Sequence, residues 1–223
     1  LTVGGASAGS IDFGASLDGD EAELIGQDGF DNRLNISGWT NGVATVNGGV
    51  SSDDTIVGPN GGAQFNATLA KEGTVNGNSY QEIENLEGGD GDDQFVIANT
   101  VAIPGTVNGG AGGNDTLNFS NVIATAVTVT ATSLSANNGF TGSVTNVNGG
   151  AADGFLNINA VVGTGADDIL EGQVLNGGIP VDGTFNLSAS SGTFVANLRT
   201  LNFSDFNEFT GGNANDTFNV NSS

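Results

Sequence analysis

Cysteine, methionine and histidine are absent from this chain of 223 residues, and its only basic side chains are Arg33, Lys71 and Arg199. The first absence excludes a disulfide framework. Without thiolate or imidazole the metal ligands that remain are oxygens, which suit hard cations such as calcium rather than zinc or copper. The same absences remove the base of a serine or cysteine triad, and three scattered cations are too few for β-elimination on an acidic sugar. Against these three stand 25 Asp and Glu, for a net charge of −22. Neither phosphate neutralisation nor a polybasic patch can be built on such a surface, so nucleic acid and anionic membranes are excluded as partners and divalent cations are favoured. No apolar run approaches the ~18 residues of a membrane span, so no membrane insertion is expected. A chain with no sulfur to oxidise points to a secreted, extracellular setting. It opens on Leu1 with no leader-like segment, which reads as a processed chain or a piece of something longer.

What is abundant is glycine, 38 residues, arranged with a period. Gly88-Gly89-Asp90-Gly91-Asp92-Asp93-Gln94-Phe95-Val96 fits the nonapeptide G-G-x-G-x-D-x-U-x, in which an acidic Gly-rich loop feeds a short strand. Looser versions start at Gly109, Gly163 and Gly211. Anchor glycines at 26, 88, 149 and 211 lie 62, 61 and 62 residues apart, and local steps from Gly4 to Gly26, Gly26 to Gly48 and Gly88 to Gly109 are 22, 22 and 21. An apolar residue stands two positions before each anchor (Leu24, Val46, Leu86, Val107, Val147, Phe209). Pairs spaced by two follow most of them: Leu34 and Ile36, Phe95 and Ile97, Leu117 and Phe119, Leu156 and Ile158, Phe218 and Val220. Period two means strand, with these side chains inward. No 3.6-residue apolar stripe supports helix.

The fold class expected is therefore all-β, a parallel β-solenoid of about ten or eleven coils, since 223 residues divide by a coil of ~21. It forms one array over 1–223, on the order of 50 Å long at ~4.8 Å per coil. Plainer third coils are expected at Phe65 to Leu69, Val127 to Thr132 and Phe185 to Leu187, and extra residues near Gln173 to Pro180 should bulge out. Eight Asn-Gly pairs supply tight corners, although an antiparallel sandwich would use the same pairs as hairpin turns.

The segment GTVNGNSYQEIENLEGGDGDDQF, from Gly73 through Phe95, resembles the repeats of large bacterial secreted or surface proteins of the haemolysin-type calcium-binding and filamentous-haemagglutinin-like kind. That resemblance implies a β-solenoid, secretion, and adhesive or scaffolding work. The tandem nonapeptides of the calcium-binding families are unbroken, whereas here the matches are separated. In a calcium β-roll each ion sits between loops of neighbouring coils, so Asp90, Asp92 and Asp93 are expected to face Asp115. By the same logic Asp31 pairs with Asp53 or Asp54, and Asp153 with Asp167 or Asp168. The competing reading is that these carboxylates accept backbone N–H bonds as loop caps. Asp-Thr at 54, 115 and 216 marks the corner where the chain enters a sheet.

Three functions follow. The first is a non-enzymatic structural segment or subunit of an extracellular filament or giant surface adhesin, calcium-stiffened, whose copies stack end to end because Val3-Gly4-Gly5 and Phe218-Asn219-Val220 leave open strand edges. The second is a calcium-dependent carbohydrate-binding module, which would need Trp39 and Tyr80 exposed. The third is a polysaccharide-degrading β-helix enzyme working through paired carboxylates.

Overall fold

The computed structural model describes residues 10–12, 21–39, 43–50, 53–98, 105–145 and 154–221. Gly4, Gly149 and Asp153 lie outside them. The chain visits two sheets in turn. The opening strands are β1 (Ser10–Asp12), β2 (Glu21–Ile25), β3 (Arg33–Asn35), β4 (Val43–Asn47) and β5 (Thr55–Val57), followed by a meander of β6 (Gln64–Leu69), β7 (Glu72–Val75) and β8 (Asn78–Gln81). Then come β9 (Asn85–Glu87), β10 (Gln94–Ile97), β11 (Thr106–Asn108) and β12 (Thr116–Asn118), and a second meander of β13 (Thr128–Leu134), β14 (Phe140–Thr145) and β15 (Gly154–Ile158). The remainder is β16 (Ala160–Val162), β17 (Ile169–Asn176), β18 (Ile179–Pro180), a third meander of β19 (Gly183–Ser188), β20 (Ser191–Ala196) and β21 (Arg199–Ser204), then β22 (Glu208–Gly211) and β23 (Thr217–Val220).

One sheet runs β1-β3-β5-β9-β11-β15-β14-β13-β17-β18 with β22 also on β17, and the other runs β2-β4-β8-β7-β6-β10-β12-β16-β21-β20-β19-β23. Each meander turns the chain back on itself within one sheet. Its last strand pairs with the preceding visit and its first with the following one: β8 with β4 and β6 with β10, β15 with β11 and β13 with β17, β21 with β16 and β19 with β23. These joins are parallel, while pairing inside the meanders and between β17 and β18 is antiparallel.

The fold is thus all-β with mixed sheets, and the expected unbroken stack of ten or eleven parallel coils is corrected accordingly. The segments read as plain third coils, 65–69, 127–132 and 185–187, open the three antiparallel meanders instead. The cause is visible in the turns. Asn76 and Gly77, with φ of 47° and 83°, close β7 onto β8, and Asn197 and Leu198 do the same between β20 and β21 with φ of 47° and 66°. Positive φ at two successive residues favours a tight hairpin over a corner. The extra residues near 173–180 form the exposed β17–β18 hairpin, with Gly177 and Gly178 in its turn and Ile179 exposed beside them.

Burial follows period two in most strands. Leu34, Ile36, Phe95, Ile97, Leu117 and Phe119 are all buried between the sheets, as the spacing predicts. The pair Leu156 and Ile158 is corrected: Phe155 and Ile158 point inward and Leu156 is partly exposed, because Asn157 adopts φ of 56° and the β14–β15 register shifts there. Phenylalanines pack along the core, Phe65 stacked on Phe95 at 4.8 Å and Phe185 stacked on Phe218 at 4.9 Å, with Phe194 tilted against Phe185 at 4.6 Å. On the outer face Arg33 forks onto both carboxylate oxygens of Glu87, reaching from β3 across β5 to β9. The pair is partly solvated, so Arg33→Gln should cost only about 0.5–1 kcal/mol in a denaturant titration.

Candidate functional site: the strand-entry carboxylates

A parallel strand begins with an amide that the ladder does not reach, and a buried amide needs an acceptor. At seven strand entries among the described residues the acceptor is the side chain at the matching position of the next strand in the sheet. The N–H of Asn32 donates to Asp54 Oδ1 (2.7 Å), that of Asp54 to Glu84 Oε2 (2.7 Å), that of Asp93 to Asp115 Oδ1 (3.0 Å) and that of Asp115 to Asn159 Oδ1 (3.1 Å). At the meander entries the N–H of Ala63 donates to Asp93 Oδ1, that of Val127 to Asp168 Oδ1 (2.7 Å) and that of Gly183 to Asp216 Oδ1 (2.9 Å). Each link ties one turn of chain to another 22 to 44 residues away.

The second oxygen folds back on the residue's own loop. Asp93 Oδ2 accepts from Gly89 N–H (2.9 Å), and Asp168 Oδ2 accepts from Thr164 N–H (2.6 Å) and the Thr164 hydroxyl. This return explains the anchor glycines. A Cβ on Gly88 would collide with Asp93 Oδ2 and the Gly109 carbonyl, and one on Gly109 with Asp115 Oδ2 and the Asn157 carbonyl. Gly48 with Asp54, Gly163 with Asp168 and Gly211 with Asp216 repeat the arrangement. The periodic glycine therefore marks where a carboxylate and the next turn's backbone close over the chain.

Of the candidate metal ligands, Asp54, Asp93, Asp115 and Asp168 are buried strand-entry groups, whereas Asp53, Asp90, Asp92 and Asp167 are exposed. The expected facing of Asp93 and Asp115 is present, through Asp93 N–H rather than between the two carboxylates. Asp92 Oδ1 accepts from Asn114 N–H (2.8 Å). Asp54 meets Asn32, the neighbour of Asp31. The proposed partner of Asp167 and Asp168, Asp153, lies outside the described residues, where Asp168 reaches Val127 and Thr164 instead. Among the described residues no three His, Cys, Asp or Glu are grouped as metal ligands. Sequence reasoning missed Asn32, Glu84 and Asn159. Their signal was available: each directly precedes an inward-facing strand.

Burial dominates the electrostatics. It pushes Asp93 up to about 6 and Asp115 up to about 7, against the lowering effect of the N–H bonds they accept, and it raises Asp54 in the same direction. Asp54 Oδ2 and Asp115 Oδ2 have no hydrogen-bond partner. In the equivalent position Asn32 places an amide nitrogen, which donates to the Gly48 carbonyl at 2.9 Å. Protonation of Asp115 would put a donor where Asn32 has one. Glu84, also buried, receives Lys71 as its ion-pair partner. Trp39 and Tyr80 are buried, so neither forms an exposed sugar-stacking platform.

Compared with family models, characterised proteins and solved structures, the chain matches none.

Proposed function

We propose that this chain is a non-enzymatic structural module, a segment or subunit of an extracellular filament or giant surface adhesin, wound as a two-sheet coil that its meanders interrupt. The observation that carries the reading is the regular capping of strand entries. Each of the buried carboxylates Asp54, Asp115 and Asp168 commits one oxygen to a backbone amide of another turn, where a hydrolase would keep the group available for acid and base work. Such links stiffen a long body and leave no constellation for proton transfer among them.

Copies stack end to end. Among the described residues β23 is the last strand of its sheet, with Phe218 44% and Val220 78% exposed although Phe218 lies flat on Phe185. A further strand on that edge would cover both and continue the ladder, a heterologous contact that propagates rather than closes. Sedimentation across a concentration series, with electron microscopy of the same samples, tests this. Growing linear species are expected; a strictly monomeric chain at high concentration would contradict it.

A calcium-stiffened form is the second reading, favoured by the partnerless Asp54 Oδ2 and Asp115 Oδ2 beside the Gly-rich loops. A cation bound only by the folded state would raise the melting temperature in calcium over that in chelator at matched ionic strength. Coincident curves would leave capping as the whole role of these groups.

A further inference from the structure

We propose that a cavity beside Arg199 is a binding site for a hydroxyl-rich ligand carrying one carboxylate, a uronic-acid-type sugar residue. Of the three basic side chains, Arg33 is committed to Glu87 and Lys71 to Glu84 and Glu82, while Arg199 has no carboxylate partner among the described residues. In a chain with 25 acidic groups an unmatched guanidinium is an exception. Its position is fixed by the backbone: Nη1 donates to the Gly139 carbonyl (3.0 Å) and Nη2 to that of Asn137 (3.5 Å), both in the β13–β14 turn. Carbonyls orient the group without cancelling its charge.

The cavity holds about 350 Å³ and is lined by Asn114, Asn137, Asn138, Asn159, Arg199 and Thr200 beside Gly139, with no carboxylate in its wall. That volume suits one or two sugar rings, at the lower end of ligand pockets. Its polar groups are only partly used. Asn138 lines the wall and sends its amide nitrogen to the Gly113 carbonyl (2.7 Å), while its Oδ1 is buried out of reach of solvent and has no partner. Asn159, whose Oδ1 is taken by Asp115 N–H, lines the same wall. With Trp39 and Tyr80 buried, recognition here rests on hydrogen bonds and charge rather than on stacking. The site goes beyond the structural role: the module can stack without it, and the ligand can bind a monomer.

Titration of the full chain with methyl glucuronide and with methyl glucoside, followed by amide chemical shifts, tests the site. Saturable binding of the glucuronide is expected, with shifts confined to residues around 114, 138, 159 and 199, and with affinity at least tenfold above that for the neutral glycoside, as a charge-assisted bond implies. Arg199→Gln should remove that preference. Because this change also loosens the turn, Asn114→Ala and Thr200→Val are the controls; neither side chain holds the turn, and each should weaken glucuronide binding while leaving melting unchanged. Equal affinity for the two glycosides, no saturable shift, or binding indifferent to Asn114→Ala and Thr200→Val would overturn the proposal and leave ordered water as the cavity's occupant.

Discussion

Asp93→Ala should destabilise the protein by about 3 kcal/mol, with calcium or without it, because two buried amides, of Ala63 and Gly89, lose their only acceptor. Each orphaned donor costs roughly 1–3 kcal/mol, and the methyl group left behind reaches neither. Equilibrium denaturation in chelator reads the effect directly. If Asp93 served an ion alone, the variant would match wild type in chelator and differ only when calcium is added. Asp90→Ala and Asp92→Ala, on the exposed rim of the same loop, should each change stability by no more than about 1 kcal/mol.

The second large effect is on pH. An aspartate in an unfolded chain titrates near 3.9, whereas burial holds Asp93 at about 6 and Asp115 at about 7 in the folded protein. Between these values the folded state binds protons that the unfolded state has released, so stability rises as pH falls. The gain is complete below the unfolded value and is lost as pH climbs through 6 and 7. Between pH 8 and pH 5 it should amount to on the order of 3 kcal/mol, since relaxation and nearby water return part of the burial cost. For a chain of this length that is roughly 6–12 °C in melting temperature. Falling net charge acts in the same direction, so a variant is needed to separate the two. Asp115→Asn removes the buried charge and places an amide where Asn32 already uses one against the Gly48 carbonyl. It should be more stable than wild type at pH 8 and lose much of the pH dependence. A variant destabilised at pH 8 would show that Asp115 is held ionised.

Much of this architecture is legible in the sequence, for particular reasons. Leu34, Phe95 and Leu117 face inward because short three- or four-residue strands with a central apolar side chain have no other way to bury it. Asp54, Asp115 and Asp216 mark strand entries as the Asp-Thr pairs imply. The meanders were hidden because Asn76-Gly77 and Asn108-Gly109 are the same dipeptide, yet one closes a hairpin and the other is a corner. Local chemistry permits both, and the choice depends on which neighbouring strand is already in place. The capping ladder was hidden for a related reason. Its acceptors vary among Asp, Glu and Asn, so Glu84 and Asn159 share a structural position with Asp115 without sharing a motif.

Side chains at seven strand entries fasten one turn of chain to another. Native-state hydrogen exchange at the amides of Asn32, Asp54, Ala63, Asp93, Asp115, Val127 and Gly183, measured in chelator, tests it most directly. The account predicts that these amides exchange as slowly as those in the middle of β6 and β13, by global unfolding only, and that Asp93→Ala releases Ala63 and Gly89 selectively. Rapid exchange at the seven entry amides in chelator, slowed only when calcium is present, would contradict it.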